Sequence, residues 1–156
     1  MDDKGPDPRE QLAGFIAKFE PRLQAQIRAA RRALRKRLPT AYELVYDNYN
    51  FFVIGYSPTE RPSDAIISLT AAAKGLGLCF LYGARLPDPA HVLQGSGNQT
   101  RFIRLDSVSV LARPEVEALV AAAVANAKAP FGARGRLIIR SVSAKQRPRV
   151  KRAAKG

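Results

Sequence analysis

The chain has one cysteine, Cys79, and one histidine, His91, in 156 residues. A single thiol forms no intrachain disulfide. A zinc centre of the Cys/His type takes about four such ligands, which these two residues do not supply. No uninterrupted apolar run approaches the roughly 20 residues of a bilayer-crossing helix, which excludes a transmembrane protein. The opening MDDKGPDP is acidic and rich in proline. It lacks the basic start and apolar stretch of a secretory signal, so a cytoplasmic protein is expected. No internal repeat is present.

Acids are missing from two long stretches. Residues 22–37 carry seven cations and no acid, and residues 132–156 carry nine and no acid. The remainder holds ten cations against all thirteen acids, so the formal charge of +13 belongs to two segments attached to a slightly acidic body. Such asymmetry points to a polyanionic partner: nucleic acid, an anionic surface or an acidic protein. The competing explanation is a solvated helix face with a solubilising tail.

What is present is ordinary for a globular chain, with 46% hydrophobic and 25% charged residues. That length is one domain's worth and buries about two-thirds of its unfolded surface. Leu12, Phe15, Ile16 and Phe19 repeat at helical spacing. Pro21 ends that helix and opens a second. There, Leu23, Ile27, Ala30, Leu34 and Leu38 form an apolar stripe, and Arg28, Arg31, Arg32 and Arg35 form a separate basic one. From Tyr42 the pattern turns aromatic and β-branched. Strands are expected at 43–47, 51–56, 65–72, 76–82 and 101–105, as two hairpins and a fifth strand. The alternation in 76–82 predicts burial on both faces. A short helix is expected at 88–93, and Pro114 opens a last one with Val116, Leu119, Val120 and Val124 as its apolar face. The expected architecture is α+β: a mostly antiparallel sheet of about five strands with N-terminal helices and a C-terminal helix packed on it. Residues 1–8 are expected to be a disordered lead, 9–140 the domain and 141–156 a basic disordered tail, although Leu137-Ile138-Ile139 also fits a short strand.

The loop Gly95-Ser96-Gly97-Asn98-Gln99-Thr100-Arg101 is the most distinctive segment. Two glycines around a serine can turn backbone N–H groups toward an anion, with Arg101 and Arg104 nearby; no Lys-Ser/Thr pair follows, so it is not a Walker loop. A tight turn that needs a glycine at positive φ explains the same residues. Asp47, Glu60, Asp64, Asp88 and Asp106 sit in loops and strand ends, with no spacing that pairs them. His91 lacks a catalytic partner, and Cys79 reads as a buried, unreactive thiol. Tyr42, Tyr46, Tyr49, Phe51 and Phe52 read either as bases' stacking partners or as core.

In order along the chain stand Tyr46-Asp47-Asn48-Tyr49-Asn50, Pro58-Thr59-Glu60-Arg61 with Ser63-Asp64-Ala65-Ile66, and Leu86-Pro87-Asp88-Pro89. They are followed by Leu93-x-Gly95-Ser96-Gly97 with Arg101, Ile103 and Arg104, and by Arg113-Pro114-x-Val116. Over residues 20–128 this set resembles the YdhG-like family of bacterial domains of unknown function. The family commonly has Lys at the place of Asn98 and His at that of Phe102. The resemblance implies an α+β domain with an antiparallel sheet; some relatives are regarded as frataxin-like iron chaperones.

Together these observations predict a non-enzymatic protein without cofactor, metal or catalytic residues. Its expected partner is nucleic acid or another polyanion, held by Arg28, Arg31, Arg32 and Arg35 of the helix and by Arg147, Arg149, Lys151 and Arg152 of the tail. The alternative is a small-ligand or metal site, including frataxin-like iron, built from Gly95, Ser96, Gly97, Asn98 and Arg101 beside Asp47 and Glu60.

Overall fold

A computed structural model describes residues 5–151 of the chain. Three helices cover one face of a six-stranded sheet of order β5-β4-β3-β2-β1-β6. The strands are β1 (Tyr42–Asp47), β2 (Phe52–Ser57), β3 (Ile67–Ala72), β4 (Gly75–Phe80), β5 (Arg101–Arg104) and β6 (Leu137–Val142). Strands β1 to β5 form an antiparallel meander, and β6 returns to pair parallel with β1. The sheet thus has six strands rather than five. The sixth is the short apolar run at Leu137, recruited to the far edge.

Helix α1 (Pro8–Ile16) starts where Asp7 accepts a hydrogen bond from the Arg9 N–H, with proline in the first turn, where its missing donor costs nothing. Asp7 and Pro8 are therefore structural; residues 1–4 of the expected lead lie outside the described residues. Helix α2 (Pro21–Arg37) buries Leu23, Ile27, Ala30 and Leu34 and ends in Arg35, Lys36 and Arg37, which complement its dipole. Helix α3 (Pro114–Ala125) buries Val116, Leu119, Val120 and Ala123; Val124 is only half-buried.

Register builds the core. Val45 faces Ile54, Ile54 faces Leu69, and Leu69 faces Leu78, which faces Ile103. These residues join the helix stripes in one apolar cluster. The opposite face of β4 carries Gly77 and Cys79, both half-buried. That strand is thus buried on one face only, and Cys79 is not enclosed. Residues 88–93 form no helix. Asp88 instead accepts hydrogen bonds from the N–H groups of Val92 and Leu93, and His91 adopts φ 55°. A single turn of 3-10 helix stands earlier, at Gly83–Arg85.

The expected disordered tail is the largest correction. Strand β6 spans its predicted start, and the chain beyond follows the lower rim of the sheet. The Ser143 N–H donates to the Asp47 carbonyl and the Arg147 N–H to the Tyr49 carbonyl. Arg149 is only 4% exposed. Main-chain hydrogen bonds and one buried cation hold this strap, so a search for apolar residues misses it. Residues 152–156, with Arg152 and Lys155, lie outside the described residues.

Gly135 permits β6 to dock. A Cβ there would overlap the backbone of Thr40 and Ala41, whereas a Cβ on Gly132 would meet nothing within 4 Å. Gly135→Ala is expected to destabilise the protein by about 1–3 kcal/mol and Gly132→Ala by less than about 0.5 kcal/mol, read by urea unfolding.

Candidate polyanion-binding face

Strand alternation sets two acids on the helix-covered side of β1. Glu43, Val45 and Asp47 share a face, so Glu43 and Asp47 meet the helices and strap rather than water. Glu43 is 5% exposed and Asp47 0%. Each is satisfied by cations that the sequence had offered to a polyanion.

The Arg31 guanidinium grips Glu43 through two hydrogen bonds of 2.9 Å, and the Tyr56 hydroxyl donates to the same carboxylate at 2.9 Å. Burial and the Glu43 charge push the Tyr56 hydroxyl well above its ordinary pKa, keeping it a donor. For Arg31, burial favours the neutral form, but the hydrogen bonds and charge of Glu43 outweigh it and raise its pKa. Arg31 therefore belongs to the fold rather than to the open stripe. Alternation and helical angle were the available signals for this cluster, which the sequence reading missed.

At the other end of β1, Asp47 accepts from Lys18 Nζ at 2.6 Å and from Arg149 Nη2 at 2.9 Å. Arg149 Nη2 also donates to the Asn48 carbonyl, and Gln146 Nε2 to that of Asp47. Burial alone would raise the Asp47 pKa, yet the hydrogen bonds, led by that of Lys18, hold it below its ordinary value. Nε and Nη1 of Arg149 have no acceptor among the described residues. This guanidinium is a latch on the strap, not an outward contact.

Asp47 and Glu60 do not join the glycine loop. Asp47 pairs with Phe52 at the start of β2, whereas Glu60 follows the end of β2 and meets Arg136 at 3.2 Å. The loop leads into β5 at the far edge of the sheet. Arg101 Nη1 donates to the carbonyls of Gly97 and Thr100, so its charge serves the loop's own oxygens. Gly95 adopts φ 118°; Gly97 has an ordinary φ and open space around it. Ser96 and Asn98 are exposed, with no side-chain hydrogen bond among the described residues. The arrangement is a self-capped turn. Among the described residues, no three His, Cys, Asp or Glu side chains come together as metal ligands.

Arg28, Arg32 and Arg35 are exposed on α2. With Arg9 and Arg31 they line a hollow of about 190 Å³ between α1 and α2. Arg28 and Arg32 have no carboxylate partner among the described residues, and Arg35 only a 3.9 Å contact with Glu43. A second basic hollow, of about 380 Å³, lies at the start of α2, where Arg22, Lys74, Arg104 and Lys151 meet beside Glu20 and Asp106. The strap brings Lys151 there. Arg147 lies over the Tyr49 ring at 5.5 Å and donates to Asn50. Tyr49 and Phe51 are 42% and 47% exposed, while Phe52 is core. No helix of the described residues is long and apolar enough to cross a membrane. No family model, curated protein or solved structure matches the chain.

Arg149→Ala is expected to cost about 3 kcal/mol, because it unpairs a buried acid that Lys18 still partly satisfies, whereas Arg147→Ala should stay within about 0.5 kcal/mol. The Asp47 pKa is lower folded than unfolded, so its contribution is present above the unfolded value near 3.8 and lost as pH falls through the folded one. Urea titrations below pH 5 should show a steeper acid loss in wild type than in Asp47→Asn. At the loop, Gly95→Val is expected to destabilise by about 1–3 kcal/mol while Gly97→Val is tolerated, measured as shifts in thermal midpoint.

Proposed function

We propose that this protein is a non-enzymatic nucleic-acid-binding domain that holds the phosphate backbone on the outer face of α2. One observation carries the reading: over 17 residues that helix exposes arginine, lysine and alanine, with no acid of its own. Arg28 to Arg35 covers seven residues, a rise of about 10 Å, enough to meet successive phosphates. The cations at the start of the helix extend the track to Arg22, Lys74 and Lys151. Contacts of this kind position a backbone without reading its bases. A cytoplasmic location and membership of the YdhG-like family belong to the same proposal. The frataxin-like alternative is disfavoured, because a formal charge of +13 repels Fe²⁺ and Glu43, Asp47, Glu60 and Asp88 are engaged by arginine, lysine and backbone donors.

The cations sort into two classes with different expected phenotypes. Exchange of Arg31 or Arg149 would disturb the fold, whereas exchange of Arg28, Arg32 and Arg35 would change surface charge alone. Titration of a labelled 20-base-pair DNA duplex at several salt concentrations tests this. Wild type should bind duplexes of unrelated sequence equally. Arg28→Ala/Arg32→Ala/Arg35→Ala should keep the wild-type melting curve and lower the salt slope by about 2–3, at about 0.9 for each phosphate no longer neutralised. No binding by wild type at low salt, or an unchanged slope in the triple variant, would overturn the reading.

A further inference from the structure

A hollow of about 430 Å³ opens at the upper end of the sheet, between the 3-10 turn Gly83–Arg85, the end of the glycine loop and the end of α3. Its floor is apolar: Ile66 and Phe80 are 4% and 0% exposed. Its rim is polar, with Arg85, Gln99, Asn126 and Lys128. No acid lines it. The Arg85, Gln99 and Asn126 side chains have no hydrogen-bond partner among the described residues, and Lys128 Nζ stands 4.3 Å above the Tyr82 ring centroid.

The walls are fixed by the backbone. The Ala84 N–H donates to the Gln99 carbonyl at 2.9 Å, and the Leu86 N–H to that of Gly83. A Cβ on Gly83 would come 2.7 Å from the Arg101 Cβ, so glycine alone lets the turn sit this close to β5. The Tyr82 hydroxyl donates to the Ser63 carbonyl, which directs the ring along one wall.

A preformed concavity of this size, with an apolar floor and a few polar groups at one edge, is the usual form of a small-molecule site. Two cations and two amides without an opposing acid select the charge of the occupant. We infer that the hollow binds a small amphipathic anion, its apolar body on Ile66 and Phe80 and its acidic head between Arg85 and Lys128. This site is separate from the α2 face and does not depend on nucleic-acid binding. It also differs from the glycine-loop site expected from sequence, because only Gln99 of that loop lines it.

Amide chemical-shift mapping of the full-length protein with octanoate, octyl phosphate and octanol tests the inference. The two anions should shift the amides of residues 82–86 and 126–128, and octanol should bind at least about tenfold more weakly, the equivalent of one charge-assisted hydrogen bond. Arg85→Ala/Lys128→Ala, two exposed changes, should weaken the anions by about tenfold or more and leave octanol unaffected. Whichever anion binds more tightly identifies the head group as carboxylate or phosphate, and either result upholds the site. Octanol binding as tightly as octanoate, shifts confined to other surfaces, or an unchanged affinity in the double variant would each overturn it. DNA affinity of Arg85→Ala/Lys128→Ala at low salt reports separately on the α2 face.

Discussion

Asp47 ties together parts of the chain that are far apart in sequence. One fully buried carboxylate receives Lys18, just beyond α1, and Arg149, near the end of the described residues. Burying an acid with the Arg149 guanidinium is costly, and the exchange balances only when hydrogen bonds offset the lost hydration. Here the strap contributes Gln146 and Arg149, and β1 and its turn contribute the carbonyls of Asp47 and Asn48 that accept from them. The path of the strap beyond β6 and the position of Lys151 beside Arg22 follow from this contact. The strap adds little apolar surface, so without Arg149 it would be held by main-chain hydrogen bonds and the side-chain contacts of Gln146 and Arg147.

A second acid, Glu43, repeats the arrangement at the other end of β1. Arg31 and Tyr56 enclose it, which pins the middle of α2 to the sheet. The two clusters divide the cations by task. Arg31 and Arg149 neutralise acids inside the molecule, while Arg28, Arg32 and Arg35 keep their charge for the solvent side. A net charge of +13 thus overstates how many cations are idle and understates how closely the free ones are grouped. Grouped free charge on a straight helix meets a phosphate backbone better than the same charge scattered over a surface.

Much of the fold was legible because the local rules agree with it. Leu12, Phe15 and Ile16, and then Leu23, Ile27 and Leu34, keep helical spacing between prolines that punctuate them. Alternation and turn residues mark the first five strands. Failure came where particular side-chain-to-backbone bonds or contacts between distant residues decide the structure. Asp88 binds two backbone N–H groups and so favours a turn over the expected helix. Leu137 to Ile139 fits a short strand, but its extension to Val142 and its parallel pairing with β1 depend on the edge that β1 offers. The strap was missed because one guanidinium and several main-chain bonds hold it, and composition records neither. In the glycine loop the tight-turn explanation fits the geometry: Gly95 takes the positive φ, and Arg101 closes the turn on itself. The hollow above Phe80 was not legible, because its floor and rim come from four separate stretches of chain.

The strap over residues 143–151 is part of the folded domain, held there by the Asp47 cluster. Native-state hydrogen exchange of the Ser143 and Arg147 amides in the full-length protein is the sharpest check on that attachment. Both donate to carbonyls at the lower rim of the sheet, so protection well above that of an unstructured chain is predicted. Exchange of both amides at unprotected rates, with the strands β1 to β4 still protected, would mean that the strap is not docked and that Asp47 does not hold it.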